Sequence, residues 1–124
     1  GMKKIRVLVV DDALFTHRAI AKALPGDFFE ICGVARNGRE GIKMYAELVP
    51  DVVTMDVTMP VLDGLAAARE ILTADASAKI IMLTARGDEE LVAAAKKLGI
   101  DVFLQKPFKP GQLVTAIQKI CRKE

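Results

Sequence analysis

Apolar residues gather in five short runs, at positions 5–10, 28–34, 52–55, 80–83 and 102–104, and each run is followed by a stretch of helical period. Within the runs, apolar and polar positions barely alternate. Strands of that kind are covered on both faces, which predicts a parallel sheet held between two layers of helices. The helical stretches carry apolar stripes: Gly41, Tyr45 and Leu48 in the second, Leu65, Ala68 and Leu72 in the third, Leu91, Ala94 and Leu98 in the fourth, and Leu113, Ile117 and Ile120 in the fifth. Asn37-Gly38 marks the turn into the second helix and Asp63-Gly64 the start of the third. Gly99 marks the C-cap of the fourth, and Pro110 the first turn of the fifth. Five such units with short right-handed connections predict a doubly wound α/β domain, a five-stranded parallel sheet in order 2-1-3-4-5 with helices on both faces.

Composition narrows the possibilities. At 124 residues and 52% hydrophobic, the chain can bury a core as one domain, 1–124, without disulfides or a structural metal. A formal net charge of +2, with no basic cluster on a groove-reading element, argues against nucleic acid as a partner. Cys32 and Cys121 are far apart, in no C-x-x-C spacing, and read as reduced structural thiols. No apolar run approaches the roughly 20 residues of a membrane span and no secretory leader is recognisable, so no membrane partner and a cytoplasmic location are expected. Gly1 before Met2 reads as a cloning remnant, and the ending at Lys123-Glu124, directly after the fifth helix, favours a stand-alone protein.

The chemistry lies at the strand ends. In open α/β sheets, ligands bind outside the carboxyl ends of the strands where the strand order reverses, here between the first and third. Strand one ends in Asp11 and Asp12, strand three in Asp56, strand four in Thr84 and strand five in Lys106-Pro107. Taken singly, each has an ordinary explanation: Asp11 and Asp12 as an N-cap pair, Thr84 as a strand-end hydroxyl, Lys106 as a solvated charge. Their convergence from four distant places reverses those odds. Three carboxylates provide hard oxygen ligands for an octahedral Mg²⁺, Asp56 is a candidate nucleophile, and Lys106 and Thr84 are candidate stabilisers of a transferring phosphoryl group. His17, beside Arg18 on the first helix, is expected to be solvated and away from the strand ends. Met55, Met59 and Met82 are expected to pack in the core or loops.

The stretches "VDD" at 10–12, "MDVTMPVLDG" at 55–64, "LTA" at 83–85 and "KPF" at 106–108 resemble the receiver domain of bacterial two-component response regulators, and the resemblance covers essentially the whole chain. "PDVVTMDVTMPVLDG" and "AKIIMLTA" are similar more particularly to the stand-alone chemotaxis receivers of the CheY group, and "VARNGRE" to chemotaxis methylesterase receivers. The resemblance implies a flavodoxin-like fold of the CheY type and a monomeric regulator that catalyses only its own phosphorylation and dephosphorylation. Its implied phosphodonor is a histidine kinase, and its implied acceptor is Asp56. Asp11, Asp12, Asp56 and the Thr58 backbone carbonyl would hold Mg²⁺. Lys106 would bridge to the phosphoryl group, Thr84 would move toward it, and Phe103 would take the switch position, where the family often has Tyr. Thr58 and Arg86 fall at positions that tune dephosphorylation, and the Lys106-Pro107 bond is expected to be cis. The implied output is a protein effector bound at the face made by the fourth helix, fifth strand and fifth helix.

Two other classes fit less well. A haloacid-dehalogenase-type phosphatase needs a second Asp two residues after the nucleophile, where this chain has Thr58, and a cap domain that is not recognisable here. An FMN-binding flavodoxin needs a hydroxyl-rich phosphate loop after strand one and flanking aromatics, whereas "DDALFT" would repel phosphate and Tyr45 is the lone Tyr, with no Trp.

Overall fold

The computed structural model describes residues 3–122; Gly1 and Lys123-Glu124, on which the expected remnant and chain ending rest, lie outside the described residues. The elements run β1 (Ile5–Val10), α1 (Leu14–Ala23), β2 (Phe29–Ala35), α2 (Gly38–Leu48), β3 (Val52–Asp56), α3 (Gly64–Ala74), β4 (Ile80–Thr84), α4 (Glu89–Lys97), β5 (Val102–Gln105) and α5 (Pro110–Cys121). All strand pairs are parallel, and the order is β2-β1-β3-β4-β5, as expected.

Alternation along each strand sends side chains to two separate cores. Leu8, Val10, Val53, Met55 and Met82 face α2, α3 and α4, where Ala67, Ala68, Ile71 and Ala95 close over them. Val7, Val9, Val52, Ile81 and Leu83 face α1 and α5 through Ile20, Ala23, Leu113 and Ile117. The continuous apolar character of the sequence holds for the inner strands: β3 and β4 are buried along their whole length. The sheet edges differ. β2 is only partly buried, starts one residue later than expected and carries an irregularity opposite Val7 and Leu8, and β5 is nowhere fully buried. Centres of the α3 and α4 stripes also fall beside the expected ones, with Ile71 and Ala95 buried where Leu72 and Ala94 are half-exposed.

Local chemistry sets the boundaries. The Asn37 side chain accepts the Glu40 N–H and caps α2, and Asp63 accepts the Ala66 N–H and caps α3, its expected non-metal role. Gly99, at φ 96°, ends α4 in the left-handed conformation, and Pro110 opens α5. Cys32 and Cys121 are free, half-buried against opposite cores, and burial pushes both thiols up. Met55, Met59 and Met82 are buried, as expected.

Candidate functional site

β1, β3 and β5 bring Asp11, Asp12, Asp56 and Lys106, at or just beyond their carboxyl ends, to one edge of the sheet, and the backbone ladder continues past the formal strand ends to hold the delivery loops. The Asp11 N–H donates to the Ala35 carbonyl, the Val57 N–H to the Leu83 carbonyl and the Lys106 N–H to the Thr84 carbonyl. Lys106 is thereby fixed across from β4, and the Lys106-Pro107 bond is cis, as expected.

Asp11, Asp12 and Asp56 each bring a carboxylate oxygen within 4.8 Å of the others. Asp11 is fully buried, Asp56 is 8% exposed and Asp12 faces solvent. Lys106 Nζ lies 2.8 Å from Asp11 Oδ2 and 3.5 Å from Asp56 Oδ2. Its approach to Asp11 Oδ2 gives charge compensation without hydrogen-bond direction, so this oxygen is a buried acceptor still open to a ligand. Asp11 Oδ1 accepts the Ala13 N–H at 2.8 Å. Neither aspartate caps α1: the cap position is Ala13, with no side-chain cap bond, so the N-cap explanation does not hold.

Burial pushes the Asp56 carboxyl up to about 6, the Asp11 charge adds to this, and Lys106 and the Thr58 N–H oppose it. The Thr58 N–H lies 3.4 Å from Asp56 Oδ1. A pair of crowded, partly desolvated carboxylates with one ammonium is short of positive charge. A divalent cation fits that deficit, with Asp11, Asp12 and Asp56 as its hard oxygen donors.

Thr84 is 7% exposed at the end of β4, one residue beyond Leu83, the partner of Asp56 in the sheet register. Phe103 is half-buried against the α2–α3–α4 core, and Lys96 Nζ lies 5.8 Å from its ring centroid, within cation–π reach. Thr58 and Arg86 are exposed on the loops after β3 and β4.

Two features escaped the sequence reading. His17 is not solvated and remote: it is half-buried, and its Nε2 bonds to the Asp11 backbone carbonyl. Helical side chains lean toward the N-terminus, and this carries the ring from α1 back to the end of β1. Gly64 is the other. A Cβ there would lie 1.9 Å from the Asp56 carbonyl oxygen, so the β3–α3 loop folds over the end of β3 only with glycine at this position.

Fold and site together define a response regulator receiver: residues 7–118 match the response regulator receiver domain model, and the chain belongs to that family. Among curated relatives it is 43% identical over 117 residues to the chemotaxis protein CheY of Thermotoga maritima, covering 94% of this chain and 98% of that one. It is 42% identical to the chemotaxis protein CheY of Bacillus subtilis, covering 92% of this chain and 95% of that one. Among solved structures, a chain of the CheX–CheY–BeF3–Mg²⁺ complex of Borrelia burgdorferi superposes with a TM-score of 0.88 at 30% identity, covering 96% of this chain and 90% of that one.

Proposed function

We propose that the protein is a cytoplasmic phosphorylation switch of a chemotaxis-type two-component system, accepting a phosphoryl group from a histidine kinase on Asp56. One observation carries the reading: Asp11, Asp12 and Asp56 gather within 4.8 Å, and Lys106 is the ammonium that faces both buried members. Names of the relatives support the pathway: two are chemotaxis CheY proteins, and the similar solved chain comes from a CheX–CheY complex with beryllofluoride and Mg²⁺.

Asp11, Asp12 and Asp56, with the Thr58 carbonyl, would hold Mg²⁺. When bound, the ion neutralises phosphoryl oxygens and keeps the Asp56 carboxyl ionised. An Asp56 oxygen attacks phosphorus while the bond to the donor imidazole breaks and the leaving nitrogen takes a proton. Lys106 balances charge on the transferred group, and the Thr84 hydroxyl donates to one of its oxygens. Hydrolysis of the acyl phosphate resets the protein, so its only catalysis is on itself, with Thr58 and Arg86 flanking the water's approach and tuning the rate.

Output follows from Thr84. Its movement toward the phosphoryl group frees space beside β5, and the Phe103 ring turns inward. Phe103 has no hydroxyl, so coupling rests on packing. The exposed Lys96, Lys97, Gln105, Lys109, Gln112 and Lys119 then form a mildly basic rim for an acidic segment of a protein effector at α4–β5–α5. The kinase docks on the other side, where exposed Phe15 lines a cavity with Lys106, Pro107 and Phe108. The protein acts as a monomeric single domain. Intact-mass analysis after acetyl phosphate and Mg²⁺ is expected to show one phosphoryl adduct, absent in Asp56→Asn; an undiminished adduct in that variant overturns the assignment.

A further inference from the structure

Asp11 leaves Oδ2 open as a ligand oxygen beside Lys106, and its other polar groups have partners, one of them a side chain outside the acidic cluster. The N–H goes to the Ala35 carbonyl, Oδ1 accepts the Ala13 N–H, and Oδ2 faces Lys106 Nζ. The carbonyl oxygen has no backbone partner among the described residues; it accepts from His17 Nε2. A carbonyl can only accept, so Nε2 carries the proton of this bond. Asp11 is fully buried, and the residue ends the stretch where sheet pairing could satisfy its C=O.

The carbonyl belongs to the peptide plane joining Asp11 to Asp12. Rotation of that plane changes ψ of Asp11 and φ of Asp12 together, and so swings the Asp12 carboxylate relative to Asp56. Asp12 has no other restraint of this kind: its side chain is exposed and makes no hydrogen bond within the protein among the described residues. His17, anchored one turn into α1 beside the buried Thr16 and Ile20, is the rigid point against which the plane is held.

We propose that His17 is a positioning residue for the cation site, fixing the Asp11–Asp12 peptide through its Nε2–H so that both carboxylates face Asp56. The inference rests on the function proposed above and adds to it a group that touches neither metal nor phosphoryl. Supports of this kind beside metal ligands typically govern affinity by about 10- to 100-fold, and loss of this one should act at the lower end because the ligands themselves remain.

The test is the Mg²⁺ dissociation constant of the unphosphorylated protein, by calorimetric titration, in the wild type, His17→Leu and His17→Gln. Leucine is expected to weaken Mg²⁺ binding about tenfold, and glutamine, whose side-chain N–H can replace the donor, to recover most of that loss. Rescue by glutamine separates positioning from mere packing. Leucine binding Mg²⁺ as the wild type does, or glutamine binding as poorly as leucine, overturns the inference. In the wild type alone, NMR is expected to show a through-hydrogen-bond coupling between His17 Nε2 and the Asp11 carbonyl carbon, and its absence overturns the inference even if the leucine variant does not fold. A wild type that neither binds Mg²⁺ nor takes a phosphoryl group overturns the proposed function as well; one that does both while the variants match it overturns the role of His17 alone.

Discussion

Asp56 carries the tension in this fold, because the strand end that would present it as the proposed nucleophile also buries it beside Asp11. Its carboxyl is pushed up to about 6, so between the ordinary value of 3.8 and about 6 the folded state binds more protons than the unfolded one. Without metal, stability should therefore fall as pH rises through that window, with the full penalty, about 2 to 3 kcal/mol, present above it. Urea titrations in EDTA are expected to show this decline, and Asp56→Asn should remove it and be the more stable protein at pH 7; a variant no more stable than the parent contradicts the account. With the native carboxylates as the proposed Mg²⁺ ligands, millimolar Mg²⁺ should raise the wild-type melting temperature, and Asp12→Ala should abolish that dependence. Melting curves with and without the ion check both. Asp11, Asp12, Asp56, Thr84 and Lys106 were legible because each follows an apolar run within two residues, and the run fixes which edge of the sheet its end occupies. His17 was not legible: its neighbour Arg18 is polar and its contact is to a backbone carbonyl, and no side-chain pattern records that.

Loops and helices hold the site to tolerances that the hydrophobic pattern does not encode. The β3–α3 loop is closed by Gly64, whose N–H donates to the Val57 carbonyl while its Cα faces the Asp56 carbonyl. Gly64→Ala is expected to cost about 3 kcal/mol and to slow phosphorylation by acetyl phosphate, since backbone and not a flexible side chain would have to give way. Denaturant midpoints and adduct formation rates measure the two effects. Away from the site, Tyr45 on α2 donates its hydroxyl to Asp75 Oδ2 at 2.7 Å beyond the end of α3. Burial, together with that acceptor, pushes the phenol well above its usual range, so it stays protonated at any working pH. Tyr45→Phe should destabilise the fold by about 1 kcal/mol and leave phosphorylation unchanged. Strand order and both helix layers followed from periodicity, since the inner strands β1, β3 and β4 are shielded on both faces. The edges departed from it because β2 and β5 each have a neighbour on one side alone, and the residual exposure there tolerates polar and irregular positions such as Glu30 and Gln105.

Across the whole molecule, the acidic site and the proposed output face share the end of the sheet, joined by Thr84 at the tip of β4 and Phe103 within β5. Met82 is the register partner of Phe103, and Thr84 that of Gln105, so the path from acceptor to output face crosses only two strands. A phosphoryl group at Asp56 can act at a distance only if an element along that path has two arrangements. Phe103 is the candidate, half-buried and flanked by exposed Lys96. The direct measurement is the backbone amide NMR spectrum on addition of beryllofluoride and Mg²⁺, with Asp56→Asn as control. Shifts are expected to spread from Asp56 and Thr84 through Phe103 to Lys96, Gln105 and α4 in the wild type and to be absent in the variant. Shifts confined to the residues lining the acidic cluster would contradict the switch and leave a phosphate sink with no output of its own.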